Sequence, residues 1–209
     1  MWEEKARMAV VAREFIIEPE DQARSELYDF LALVLARPAG AELLEQIAGL
    51  QGGDTPLGNA LNVLARIAAV TTPATAEREF NALFVGLGRG ELLPYASYYL
   101  TGFLNEKPLA KLRQDMAERG IERAEDKHEP EDNIASLMEM MAGMILGRFG
   151  KVTSLSEQKS FFNAHVEPWA IHFFTDLEAA GTSVFYGAVG SLGRQFMEIE
   201  AQGFDMISN

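Results

Sequence analysis

Apolar residues in this chain recur three or four positions apart in one segment after another, and nowhere alternate over the run of β-branched residues that a half-buried strand requires. That single period is the strongest constraint on its fold. Asp21–Arg37 carries Leu27, Phe30, Leu31, Val34 and Leu35 on one helical face and stops at Pro38. Further helices are expected over Met1–Ile17, Ala41–Leu50, Pro56–Val70, Ala74–Val85, Pro108–Arg119, Pro130–Phe149 and Val184–Ala201. Ser156 is expected to cap another long helix that reaches Leu177, bent or interrupted at Pro168. Gly52-Gly53-Asp54, Thr71-Thr72-Pro73 and the glycine-rich run Gly86–Pro94 separate these segments. The expectation is an all-α single domain spanning 1–209, with residues 1–20 as a helical extension at its start.

The segment His128-Glu129-Pro130-Glu131-Asp132-Asn133-Ile134 combines a helix start with several carboxylates. Pro130 suits the first helical position, where its missing N–H has no intrahelical partner to lose. Glu131 and Asp132 would then occupy the first turn, where the helix dipole favours negative charge. Ile134, Leu137, Met138, Met141 and Ile145 continue at helical spacing as a face for burial.

Composition narrows the chemistry. The chain has no cysteine, which removes disulfides, thiolate metal sites and cysteine nucleophiles, and suits a reducing cytoplasm. A formal charge of −13, from 31 acids against 18 bases, disfavours nucleic acid and anionic membranes and favours a basic partner. No secretory signal is visible, and the charge-free stretch Ala179–Gly193 is broken by four glycines, so no stable membrane insertion is expected.

Motifs for catalysis or cofactors are weak. Gly86-Leu87-Gly88-Arg89-Gly90 lacks the preceding strand and following helix of a dinucleotide fingerprint. Gly147–Thr153 resembles a phosphate loop only loosely, with Val152 where a magnesium-binding hydroxyl belongs; a helix C-cap is the better reading. The three histidines, His128, His165 and His172, form no metal-binding pair, and His165 lies one turn from Trp169 in a packing arrangement. Glu129, Glu131 and Asp132 at a helix start would be poor bases. No enzyme activity and no cofactor are expected. By contrast, Pro94-Tyr95-Ala96-Ser97-Tyr98-Tyr99 offers rigid, amphipathic contact area. Beside the acids at 129–132, it specifies a peptide with basic residues followed by an apolar stretch.

Three ordered pieces carry a resemblance: Leu83-Phe84-Val85-Gly86 with Pro94-Tyr95-Ala96-Ser97-Tyr98-Tyr99, then Glu129-Pro130-Glu131-Asp132-Asn133-Ile134, then His165-Val166-Glu167-Pro168-Trp169. Together with Ser25–Ala32 they resemble the TorD/DmsD family of redox-enzyme maturation chaperones, from about Asp21 to about Ala180. The resemblance implies a TorD-like helical bundle, monomeric or a homodimer formed by helix exchange. It implies a cytoplasmic chaperone that binds the twin-arginine signal peptide and the body of a molybdenum-containing oxidoreductase subunit. Carried over position by position, the signal-peptide site comprises Leu83, Phe84, Pro94, Tyr95, Ser97, Tyr99, Glu129, Pro130, Asp132 and Asn133. The family has His where this chain has Asn133, which keeps hydrogen bonding but removes a titratable group. Two other readings stand beside it: an assembly factor for a non-exported subunit such as that of formate dehydrogenase, and a weak guanine-nucleotide-binding protein.

Overall fold

The computed structural model describes residues 17–86, 88–123 and 129–207. The expected helix over Met1–Ile17 lies almost entirely outside the described residues, as does His128. The elements in chain order are α1 (Pro19–Ala36), α2 (Ala41–Ala48), α3 (Pro56–Ala68), α4 (Pro73–Phe80), a π-helical turn (Asn81–Val85), α5 (Ala96–Thr101), α6 (Lys107–Glu118), α7 (Ile134–Leu146), α8 (Leu155–His165), α9 (Ala170–Ala179) and α10 (Phe185–Asp205). Among the described residues there is no strand, only one isolated bridge between Tyr95 and Asn133. The fold is all-α.

Local chemistry explains most helix starts. Pro19, Pro56 and Pro73 each open a helix; Thr55 accepts from the Gly58 amide at 3.0 Å and Thr72 from Thr75 at 3.2 Å. Ser154, not Ser156, caps α8, through a reciprocal capping box with Glu157. The helix expected to reach Leu177 is interrupted at Pro168, as the sequence allowed, and forms two helices with Pro168 in the turn between them. Ala74–Val85 likewise divides into α4 and the π-helical turn.

The largest correction concerns the motif helix. Pro130 is not its first residue: the amide of Asn133 donates to the Pro130 carbonyl at 3.1 Å, closing a turn, and Asn133 caps a helix that begins at Ile134. Its side chain accepts from the Ala135 amide at 2.9 Å. Glu131 and Asp132 therefore precede the cap rather than occupying the first turn. The same helix ends at Leu146 instead of Phe149, because Gly147 takes the left-handed conformation at φ 72°.

α7 is the central element. Every residue from Ile134 to Ile145 except Ser136 and Glu139 is buried, and the helix packs most extensively on α1. The second extensive pairing joins α9 to α10. There the glycines that break the apolar stretch have a packing role. A Cβ on Gly190 would lie 2.4 Å from the Glu178 amide, and one on Gly193 would lie 2.3 Å from the Phe174 ring. Only glycine permits that approach.

One charged cluster locks α1, α8 and α10 together. Arg24 meets Glu200 through two hydrogen bonds of 2.8 Å, Asp21 at 2.6 Å and Gln158 at 3.1 Å, while the buried Tyr28 hydroxyl donates to Glu200 at 2.9 Å. Glu200 is only 4% exposed, yet its oxygens are matched by donors on two sides. At the far side of the core, the Nε2–H of His165 donates to Asp115 at 2.6 Å, and the Trp169 indole donates to the His165 carbonyl at 2.8 Å. The structural role expected for His165 is the one it takes.

Candidate functional site

Two chain segments 35 residues apart run together beside the N-terminus of α7. The Ala96 amide donates to the Asp132 carbonyl at 2.9 Å, and the Ile134 amide donates to the Pro94 carbonyl at 2.9 Å. Asp132 adds its side chain: Oδ2 accepts from the Ser97 amide at 2.7 Å. Tyr95, at the cap position of α5, supplies no side-chain cap of its own. Asp132 thus caps a helix other than the one it precedes in sequence. It is fully buried, and so is Ser97; Oδ1 of the one and Oγ of the other have no hydrogen-bond partner among the described residues.

Above this clasp lies a groove of about 210 Å³. One wall is apolar, formed by Ala32, Leu35 and Ala36 of α1 with Phe80, Phe84 and Val85. The other carries Pro94, Tyr95, Glu129, Asn133, Ser136 and Glu139. A second cavity of about 120 Å³ shares Glu129, Ser136 and Glu139 with it and continues past Glu122, Arg123, Glu131 and Phe149. The two cavities therefore adjoin along Glu129, Ser136 and Glu139 as one channel. All four lining acids stand on the shared wall or in the second cavity, which also holds Arg123 and the apolar Met116, Ile121 and Met140, while the far part of the first is uncharged.

The carboxylates differ in availability. Glu129 is exposed and accepts a hydrogen bond from the Tyr95 hydroxyl. Burial pushes that hydroxyl well above the usual tyrosine range, and the Glu129 hydrogen bond and charge add to the shift, against a smaller opposing effect of Asn133. Tyr95 thus stays protonated and holds Glu129 in place. Glu131 is occupied: Arg113 donates to it at 2.8 and 3.0 Å, and Arg123 stands 3.6 Å away. Burial works to raise the Glu131 carboxyl, but the Arg113 hydrogen bonds, a hydrogen bond from its own backbone and the charges of Arg113 and Arg123 together outweigh it and hold the group below the ordinary carboxylate range. Glu139 is exposed, the single charged residue of α7, and is paired in no described salt bridge.

Of the ten residues expected to form the site, Phe84, Pro94, Tyr95, Glu129 and Asn133 meet in the groove. Leu83 is buried in the core beneath it. Ser97 and Asp132 form the clasp, and Pro130 closes the turn that leads to Asn133. Tyr99 does not line the groove; its hydroxyl donates to Asp176 at 2.9 Å and its ring lies 5.3 Å from Trp169. Phe80, Val85, Ser136, Glu139 and the α1 wall escaped the sequence reading. Glu139 had a signal of its own, as one charge in an otherwise uncharged helix.

In both glycine-rich loops several described amides are taken up by backbone carbonyls. The amides of Gly86, Glu91 and Leu92 donate to the carbonyls of Asn81, Ala82 and Leu83. Those of Arg148, Gly150 and Thr153 donate to Gly143, Gly147 and Met144. Among the described residues no group of acids and histidines is placed to hold a metal ion, and no helix is long and apolar enough to cross a membrane.

Comparison with known proteins agrees with this architecture. Residues 50–175 match the family model described as nitrate reductase delta subunit. Chaperone protein TorD of Aliivibrio fischeri is 27% identical over 203 residues, covering 87% of this chain and 94% of that protein. Chaperone protein TorD of Vibrio atlanticus is 25% identical over 205 residues, with the same coverage. Among solved structures, a redox enzyme maturation protein from Archaeoglobus fulgidus superposes with a TM-score of 0.56 over 90% of this chain and 99% of that one, at 18% identity. With 126 consecutive residues inside the family model, and the aromatic segment, the clasp and the groove all within that span or packed on it, this chain belongs to the nitrate reductase delta subunit family, as a TorD-like member.

Proposed function

We propose that this protein is a cytoplasmic, non-enzymatic chaperone for a molybdenum-containing oxidoreductase subunit, and that its groove binds the twin-arginine signal peptide of that subunit. The carrying observation is the division of the groove: an aromatic and aliphatic wall at Phe80, Phe84 and Leu35 beside the open carboxylates of Glu129 and Glu139. A twin-arginine signal presents the complementary layout, a guanidinium pair followed by an apolar stretch. Carboxylates bind guanidinium through charge-assisted, often bidentate hydrogen bonds, and the apolar stretch gains from leaving water. The TorD relatives and the family membership support the chaperone role. Nucleotide binding has no comparable support among these relatives, which are named as chaperones.

Mechanistically, a bound signal peptide is withheld from the export machinery and from proteases while cofactor is inserted into the client. Release has to follow, so a dissociation constant near micromolar suits the task, about −8 kcal/mol. Calorimetric titration with a synthetic twin-arginine signal peptide tests the reading. Saturable binding that weakens about tenfold or more when both arginines become glutamine is the expected result. Absence of binding, or equal affinity for both peptides, would refute it.

A further inference from the structure

The three acids at the start of the motif segment are not equivalent, and this decides how a basic peptide can lie in the channel. Asp132 is fully buried with Oδ2 on the Ser97 amide, and Glu131 is taken by Arg113 and Arg123. Of these three, only Glu129 is exposed and faces the groove without a cationic partner at hydrogen-bond distance among the described residues. The second open carboxylate comes from Glu139, on the exposed side of α7 and on the wall shared by both cavities. Arg148, on which Glu139 acts through its longer-range field, makes its own bidentate pair with Asp29.

We infer that Glu139 and Glu129 together read the arginine pair, and that the peptide lies in one direction, with its basic end toward Glu122 and its apolar stretch over Phe80, Phe84 and Val85. The direction follows from the lining. Four acids, Glu122, Glu129, Glu131 and Glu139, stand where the two cavities join and beyond, against the one guanidinium of Arg123, which lies 3.6 Å from Glu131, whereas no charged residue lines the opposite end. A reversed peptide would place guanidinium groups against aromatic and aliphatic carbon and leave two carboxylates facing an apolar segment, which costs desolvation without compensation. This inference rests on the signal-peptide reading above and adds a specificity residue and a polarity to it.

The chain has no cysteine, so single cysteines can be introduced without background. Val85→Cys marks the apolar end and Glu122→Cys the acidic end. Each is mixed with signal peptides carrying one cysteine activated as its thiopyridyl mixed disulfide, which a protein thiolate displaces with release of thiopyridone, placed either just before the arginine pair or within the apolar stretch. The expected disulfides join Glu122→Cys to the first peptide and Val85→Cys to the second. In parallel, Glu139→Gln should weaken the native peptide about tenfold and leave the peptide with two glutamines for arginines unchanged. The reversed disulfide pattern, disulfides at neither position from a peptide that binds, or equal weakening of both peptides by Glu139→Gln would overturn the inference while leaving signal-peptide binding intact. A native peptide that does not bind the unmodified protein would overturn both.

Discussion

Two sets of carboxylates in this molecule are treated in opposite ways. At one end Glu200 and Asp21 are matched to Arg24, with Tyr28 and Gln158 completing the set, and three helices are joined there. At the groove Glu129 and Glu139 face a channel with no described guanidinium on either. A buried charge that is paired holds the fold, whereas an exposed charge left open is available to a partner. Position in sequence does not distinguish the two. Asp132 lies three residues from Glu129, yet by its burial and its bond to Ser97 it belongs with Glu200.

The largest effect should come from Glu200→Ala. It leaves Arg24 and the Tyr28 hydroxyl without their main acceptor, and breaking a buried pair from one side costs about 3–5 kcal/mol. The urea midpoint is the measurement; a loss under about 1 kcal/mol, within the range of an exposed pair, would remove the contrast between the two regions. Asp132→Ala comes next. Removing a buried acceptor of a backbone amide should cost about 1–3 kcal/mol, and peptide binding should fall with it, because Tyr95 and Asn133 are carried by the clasp. Lost binding at unchanged stability would instead make Asp132 a direct contact.

Acid sensitivity sharpens the comparison further. Glu131 has its carboxyl lowered in the folded protein, so its contribution is complete above its ordinary value of 4.5 and disappears as pH falls below that toward the lowered folded value. Arg113→Ala should therefore reduce stability at pH 7 by at most about 1 kcal/mol and by less at pH 3. Denaturant melts at the two pH values decide it, and an equal loss at both would place the effect in packing rather than charge. The smallest stability effect belongs to Glu139→Gln, within about 0.5 kcal/mol, as for surface substitutions away from any pair.

Much of this was legible from local chemistry. Proline at the first helical position, threonine before it and glycine after the last turn are visible without tertiary information, and α3, α4 and the end of α6 at Gly120 obey them. The motif helix was misread for a local reason: Pro130-Glu131-Asp132 has the composition of a first turn, and so does the β-turn that it forms before the real cap at Asn133. The tertiary cap that Asp132 provides to α5 leaves no local trace, because its partner is 35 residues away. α5 itself is six residues rich in tyrosine, too short for a periodic signal. The groove's α1 wall was hidden because Leu35 and Ala32 look like any other core residues until α7 is laid against them.

One variant measured two ways separates the two sets of carboxylates. In the Glu129→Gln, Glu139→Gln double variant, affinity for a twin-arginine signal peptide and the urea midpoint are determined on the same preparation. The division of labour between the two sets of carboxylates predicts affinity lower by about 30-fold or more, some 2 kcal/mol, with the midpoint shifted by no more than about 0.5 kcal/mol in stability. Unchanged affinity, or a loss of stability as large as the loss of binding, would contradict it.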